Sequence, residues 1–213
     1  MLPIISGLFV ATLIIANITS IKLIDVGPFT FDGGTIIFPL AYILGDILTE
    51  IYGIKKARQV IWTGFASLLL FSIVTWLVGR IPANAEWTSQ SSYDAILGST
   101  PRIILASLIA YLAGELANST ILVKIREYTG TKHLWMRTLG SSVVGHALDT
   151  AIFLLVAFSG IFSFVGESFS SVFSTGILIS MFVSNYIWKL ATEVIITPFL
   201  YPIIKWIRKK EGV

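Results

Sequence analysis

QVIWTGFASLLLFSIVTWLVG, residues Gln59–Gly79, runs for 21 positions without a charged side chain. An α-helix rises about 1.5 Å per residue, so a run of this length spans roughly the 30 Å hydrocarbon core of a bilayer. A helix on the surface of a soluble protein keeps one polar face for water, and this stretch has none. It is read as a membrane span. Basic residues bracket it, with Lys55, Lys56 and Arg58 before it and Arg80 after.

Five further segments have the same character: Ile4–Leu23, Gly34–Tyr52, Ile103–Val123, Leu139–Phe164 and Ser174–Ile196. Together they fill most of the 213 residues, of which 55% are hydrophobic and only 13% charged. Soluble domains carry about twice that share of charge, and the mean hydropathy of +0.84 agrees. The predicted fold is an all-α membrane protein of about six transmembrane helices, one domain over residues 1–213. The first segment lacks a basic leader and a cleavage site, so it is read as a span and not as a removed signal peptide. The fifth is expected to begin after a turn at Gly140, and the sixth to break near Pro198 and Pro202, where proline removes a helical hydrogen bond. The trailing stretch from Phe199 to Lys210, with Tyr201, Lys205 and Trp206, suits the membrane interface. The polar stretch Arg80–Arg102 is expected as a loop, with Trp87 and Tyr93 as interface anchors or as part of a lid.

The positive residues orient the spans. Lys55, Lys56, Arg58, Lys124, Arg126, Lys132, Arg137, Lys205, Arg208, Lys209 and Lys210 fall on one side, 11 of the 15 basic residues. Lys22, Arg80 and Arg102 fall on the other. This bias places both termini in the cytoplasm of a multi-pass protein of the plasma (inner) membrane. The formal charge of +3 therefore reads as topology and gives no reason to expect nucleic acid. The absence of cysteine excludes disulfides and thiolate metal sites.

The spans carry residues that lipid penalises. Asp46, Thr49 and Glu50 lie in the second, Glu115 and Asn118 in the fourth, His146 and Asp149 in the fifth, and Asn185, Lys189 and Glu193 in the sixth. One charged group at a helix centre costs roughly 2.5–3.5 kcal/mol to insert. Six left unpaired would cost on the order of 15 kcal/mol, beyond the net stability of a typical domain. They must pair, lose their charge or line water. Their spacings of three and four place each set on one helix face, so a central polar cavity is expected, with carboxylates outnumbering lysine. A carboxylate accepts two parallel N–H bonds, as a guanine-like edge presents them, and Tyr42, Tyr111, Phe153 and Trp188 are candidates to stack on a flat ring. Ala41–Leu48 and Ala110–Ala117 align as a local repeat in which Gly45 precedes Asp46 and Gly114 precedes Glu115. Such repeats surround transporter binding sites.

Several of these residues also form motifs. Gly45-Asp46-Ile47-Leu48-Thr49-Glu50-Ile51-Tyr52-Gly53, followed by Ala57-Arg58, resembles a signature of the queuosine-precursor transporters in the vitamin uptake transporter group. Trp135, Arg137, Ser141 and Ser142, then Gly145, Asp149, Thr150 and Phe153, resemble a second, and Lys189 with Pro198 resembles a third. His146 stands where that family often has an amide or an acid. The resemblance implies import of 7-cyano- or 7-aminomethyl-7-deazaguanine, with Asp149 or Glu115 on the guanine edge and Lys189 on the ring carbonyl. Asp46, Glu50, Thr49, Asn118, Asn185, His146 and Phe153 complete the expected substrate-binding set. The alternative is a substrate-binding subunit of an energy-coupling-factor type vitamin importer, for which Gly7 and Ala11 offer a small-residue face on the first span. An enzyme is not expected: His146 and Asp149 share one helix without a relay, and no metal motif or nucleotide-binding motif is present. No cofactor and no metal are expected. The expected partners are a small purine-like solute and the lipid bilayer, without nucleic acid; a homo-oligomer is an open option.

Overall fold

Gly33 and Gly34 mark the place where two helices meet backbone to backbone. A Cβ on Gly33 would sit 2.5 Å from the Thr19 carbonyl oxygen, and one on Gly34 would sit 2.3 Å from that of Ala16. Only glycine allows that approach. The structure is a computed structural model describing the backbone of residues 1–129, 134–161 and 171–211. Within these, the side chains of Asp46, Glu50, Ile54, Glu115, Ser119, Leu122, Val123, Arg126, Thr129, residues 134–139, Thr197, Leu200, Tyr201 and Glu211 lie outside the described set.

The order of elements is α1 (Leu2–Thr19), β1 (Leu23–Val26), β2 (Phe29–Asp32), α2 (Gly33–Arg80), α3 (Gln90–Leu97), α4 (Thr100–Thr129), α5 (Leu134–Phe158) and α6 (Thr175–Glu211). The protein is mostly helical, as its apolar runs require, because a chain in lipid must satisfy its backbone groups internally. Four described segments are long and apolar enough to cross a membrane: Leu2–Thr19, Lys55–Arg80, Gln90–Asn118 and Gly140–Phe158. Gly33–Thr49 is a shorter apolar helix. Along α2, Leu69, Leu70, Ile73, Val74 and Leu77 are about half exposed or more, a costly arrangement in water and a neutral one against lipid.

The chain divides into two compact units, one of Met1–Ile24, Phe31–Ile104 and Ala191–Val213, the other of Asp25–Thr30 and Leu105–Leu190. In the first, α1 packs on both arms of α2. A Cβ on Gly45 would lie 4.0 Å from the Phe9 ring and one on Gly64 would lie 3.2 Å from it. One α1 residue thus faces both arms, so α2 folds back on itself. The reversal is at Gly53, the one non-helical residue inside α2, with φ 80° and ψ 161°, a region essentially reserved for glycine. The second and third expected spans are these two arms. Lys55, Lys56 and Arg58, expected in a connecting loop, lie exposed on the second arm.

The β1–β2 hairpin departs from the all-helical expectation. Gly27, at φ 60°, precedes Pro28 and supplies the positive φ that a two-residue hairpin turn needs at its first central position. Asp32 ends the hairpin and caps α2. Its carboxylate accepts from the Thr35 backbone N–H at 3.1 Å, the Thr35 hydroxyl at 2.7 Å and the Ser20 hydroxyl at 2.9 Å. Such a cap is worth about 1 kcal/mol.

Three other expectations are corrected. α5 runs without a turn through Gly140, because a lone glycine lowers helix propensity by only about 1 kcal/mol. It stops at Phe158, and the end expected at Phe164 lies outside the described residues. α6 continues through Pro198 and Pro202 to Glu211; each proline removes a single N–H, a loss that a long helix absorbs. The Arg80–Arg102 stretch contains helix α3, where the Tyr93 hydroxyl donates to the Thr75 carbonyl at 2.9 Å and its ring meets Trp87 edge-on.

Candidate functional site

The second unit gathers the polar residues of α4, α5 and α6. Gly114 and Gly145 let α4 and α5 touch at backbone distance. A Cβ on Gly114 would lie 2.8 Å from Asp149 Cβ and 3.0 Å from the Gly145 carbonyl oxygen. One on Gly145 would lie 3.0 Å from Asn118 Cβ. Asp149 follows Gly145 by one helical turn, and Asn118 follows Gly114 by one turn. The two glycines therefore bring these side chains to the same crossing.

α6 contributes the counter-charge. Lys189 Nζ donates to Asp149 Oδ2 at 2.5 Å and to the Thr150 hydroxyl at 3.1 Å. The side chains of Lys189 and Asp149 are 7% and 17% exposed. Asn185, one turn before Lys189, is buried with Ser184 and Met181 beside it, and Thr150 is buried on α5. Higher on the same pair of helices, the Tyr186 hydroxyl donates to the Val143 carbonyl at 3.1 Å. Inserting an isolated charge is costly, so the pair explains how α6 carries lysine in an otherwise apolar stretch. The carboxylate and ammonium place a strong acceptor beside a strong donor, a surface that can read a solute offering the reverse order.

Of the expected substrate-binding set, the structure brings Asp149, Lys189, Asn118 and Asn185 to this second unit. His146 is next to Gly145 on α5 and partly exposed. Phe153, one turn beyond Asp149, is engaged edge-on with Phe158, whose ring also contacts Phe173. Thr49 belongs to the first unit, is exposed, and donates to its own helix at the Gly45 carbonyl, 2.9 Å away. The side chains of Asp46, Glu50 and Glu115 lie outside the described residues. Tyr42 contacts Phe38 on its own helix, and Trp188 is 39% exposed. The sequence reading missed Thr150 as a ligand of Lys189 and Tyr186 as a tie between α5 and α6. Thr150 had a signal: it sits beside Asp149 in the second motif.

Residues 32–203 match the family described as "Putative vitamin uptake transporter". A Bacillus subtilis protein named "Probable queuosine precursor transporter" is 30% identical over 210 residues, covering 96% of this chain and 86% of that protein. A Haemophilus influenzae protein of the same name is 26% identical over 125 residues, 59% of this chain and 51% of the relative. The Escherichia coli "Queuosine precursor transporter" is 22% identical over 125 residues, 59% and 54% of the two chains. No solved structure matches. A match across most of the chain, joined to several helices able to cross a bilayer, places this protein in the plasma membrane as a multi-pass member of the vitamin uptake transporter family.

Proposed function

We propose that this chain imports queuosine precursors, 7-cyano- or 7-aminomethyl-7-deazaguanine, into the cytoplasm. On this reading it crosses the membrane six times with both termini inside, and the solute is held by buried polar residues in a central cavity near the bilayer midplane. The arms of α2 supply two spans, and α6 supplies one despite Asn185, Lys189 and Glu193.

The observation that carries the reading is the Asp149–Lys189 pair. A guanine edge presents two N–H donors beside a carbonyl acceptor. Asp149 accepts from the donors and Lys189 turns to the carbonyl, so one pair answers both halves of the edge. Asn118 and Asn185 flank the pair with further amide groups. Asp46, Glu50, Thr49, Glu115, His146 and Phe153 complete the proposed set. The names of the three relatives support the solute class.

Purified protein titrated with either deazaguanine, with guanine as control, is expected to melt at a higher temperature in a saturable way. Solute at 100 times its Kd adds about 2.7 kcal/mol. Asp149→Asn removes the response while the protein still inserts. Normal uptake by that variant, or a wild type unmoved by both solutes, refutes the reading.

A further inference from the structure

Asn17 lies outside the proposed binding set, on the face of α1 that also buries Phe9, Leu13, Ala16 and Ser20. Its side chain is 2% exposed. The amide nitrogen donates to the Leu13 carbonyl at 2.8 Å, which fixes the amide's orientation, since only nitrogen can donate there. The other amide atom, Oδ1, exposes less than 1 Å² and has no hydrogen-bond partner among the described residues. By contrast, the polar side chains of Thr12, Thr19 and Ser20 are satisfied. Thr12 donates to the Leu8 carbonyl, Thr19 to that of Ile15, and Ser20 to that of Ala16 and to Asp32.

A buried acceptor left unmet is unfavourable by about 1–3 kcal/mol, and a leucine of nearly the same shape would avoid that cost. Departures of this kind concentrate where a residue serves something other than stability. We infer that Asn17 is a solute-recognition residue whose Oδ1 accepts an N–H from the transported solute. The inference rests on the proposed function, which names a flat, N–H-rich heterocycle. Asn17 is eight residues beyond Phe9 along α1, about 12 Å, and Phe9 is level with Gly45. Its acceptor therefore sits well away from the level of the Gly45-Asp46 motif, toward the hairpin end of α1. Given the proposed orientation, that is the outer end of α1.

The test uses the full-length protein, Asn17→Leu and, as a smaller second variant, Asn17→Ala. Each is measured by thermal shift with 7-cyano-7-deazaguanine and by uptake normalised to folded protein. Asn17→Leu is expected to melt at or above the wild-type temperature without solute, because the unmet acceptor is gone. It is expected to lose at least tenfold in apparent affinity, and Asn17→Ala the same. A wild type that responds while both variants bind and transport equally well overturns the assignment of Asn17 alone. A wild type that ignores both deazaguanines overturns the underlying function, and this inference with it.

Discussion

Breaking the Asp149–Lys189 pair from either side should cost more than removing it whole. Lys189 is 7% exposed and Asp149 17%, so neither stranded charge can recover full hydration. Removing one partner of a buried pair typically costs 3–5 kcal/mol. The lower end applies here, since Lys189 keeps the Thr150 hydroxyl at 3.1 Å and Asp149 retains some access to water. Asp149→Asn and Lys189→Met are each expected to destabilise by about 3 kcal/mol. The double variant removes both charges of the pair together and should cost about 2 kcal/mol, against the roughly 6 kcal/mol that independent sites would give. Denaturant titration of the protein reconstituted in micelles measures all four corners of the cycle. Uptake by the same variants separates stability from function, and the double variant should fold yet fail to transport. Single-variant costs that add to within about 0.5 kcal/mol would show that the pair is not energetically coupled, and the reasoning would fail.

Gly114→Ala places a methyl 2.8 Å from Asp149 Cβ and 3.0 Å from a backbone carbonyl, neither of which is a flexible chain end. α4 and α5 must part by several tenths of an ångström, costing about 1–3 kcal/mol and lowering uptake; Gly7→Ala, with nothing within 4 Å, is the control that should lower neither stability nor uptake. Gly53→Ala also meets nothing within 4 Å, yet its φ of 80° is disfavoured for alanine. A loss of about 1–3 kcal/mol in melting experiments is therefore expected from backbone strain alone, and a neutral result would refute the fold-back at that residue.

The apolar runs were legible because a bilayer imposes a length and forbids unpaired backbone. Gln59–Gly79 could hardly be anything else. The ends of the runs were less clear. Gly53 looked like one residue of a loop, whereas a single positive φ there reverses the chain without a loop. Pro198 and Pro202 looked like a break, but proline's local penalty is small beside the burial and hydrogen bonding of a 37-residue helix. The hairpin went unread although Gly27-Pro28 is a turn signal, because its strands are only four residues each. At the site, Asp149 and Lys189 stood out as charges in apolar helices, and pairing was one of the outcomes the energetics demanded. Which acid would take the lysine was not readable. It depends on the crossing of α4, α5 and α6, which single-helix spacing does not fix. Asn17 was passed over because an amide in a span is a modest cost, and only its burial shows that one of its atoms goes unmatched.

The ion pair also constrains how a solute could bind. Asp149 is already satisfied by the lysine at 2.5 Å, so a solute that engages the carboxylate replaces an existing interaction. The net gain is the difference between two sets of strong bonds, reduced by the freedom the solute gives up. A solute offering only donors would take Asp149 from Lys189 and offer the buried ammonium no acceptor in return. A solute offering donors beside an acceptor lets Asp149 and Lys189 both exchange partners, so neither charge is stranded at any stage. On the proposed reading, this favours a guanine-like edge over one that offers donors alone, without a steric barrier: the discrimination comes from the carboxylate that the wrong edge would take from the lysine without a replacement.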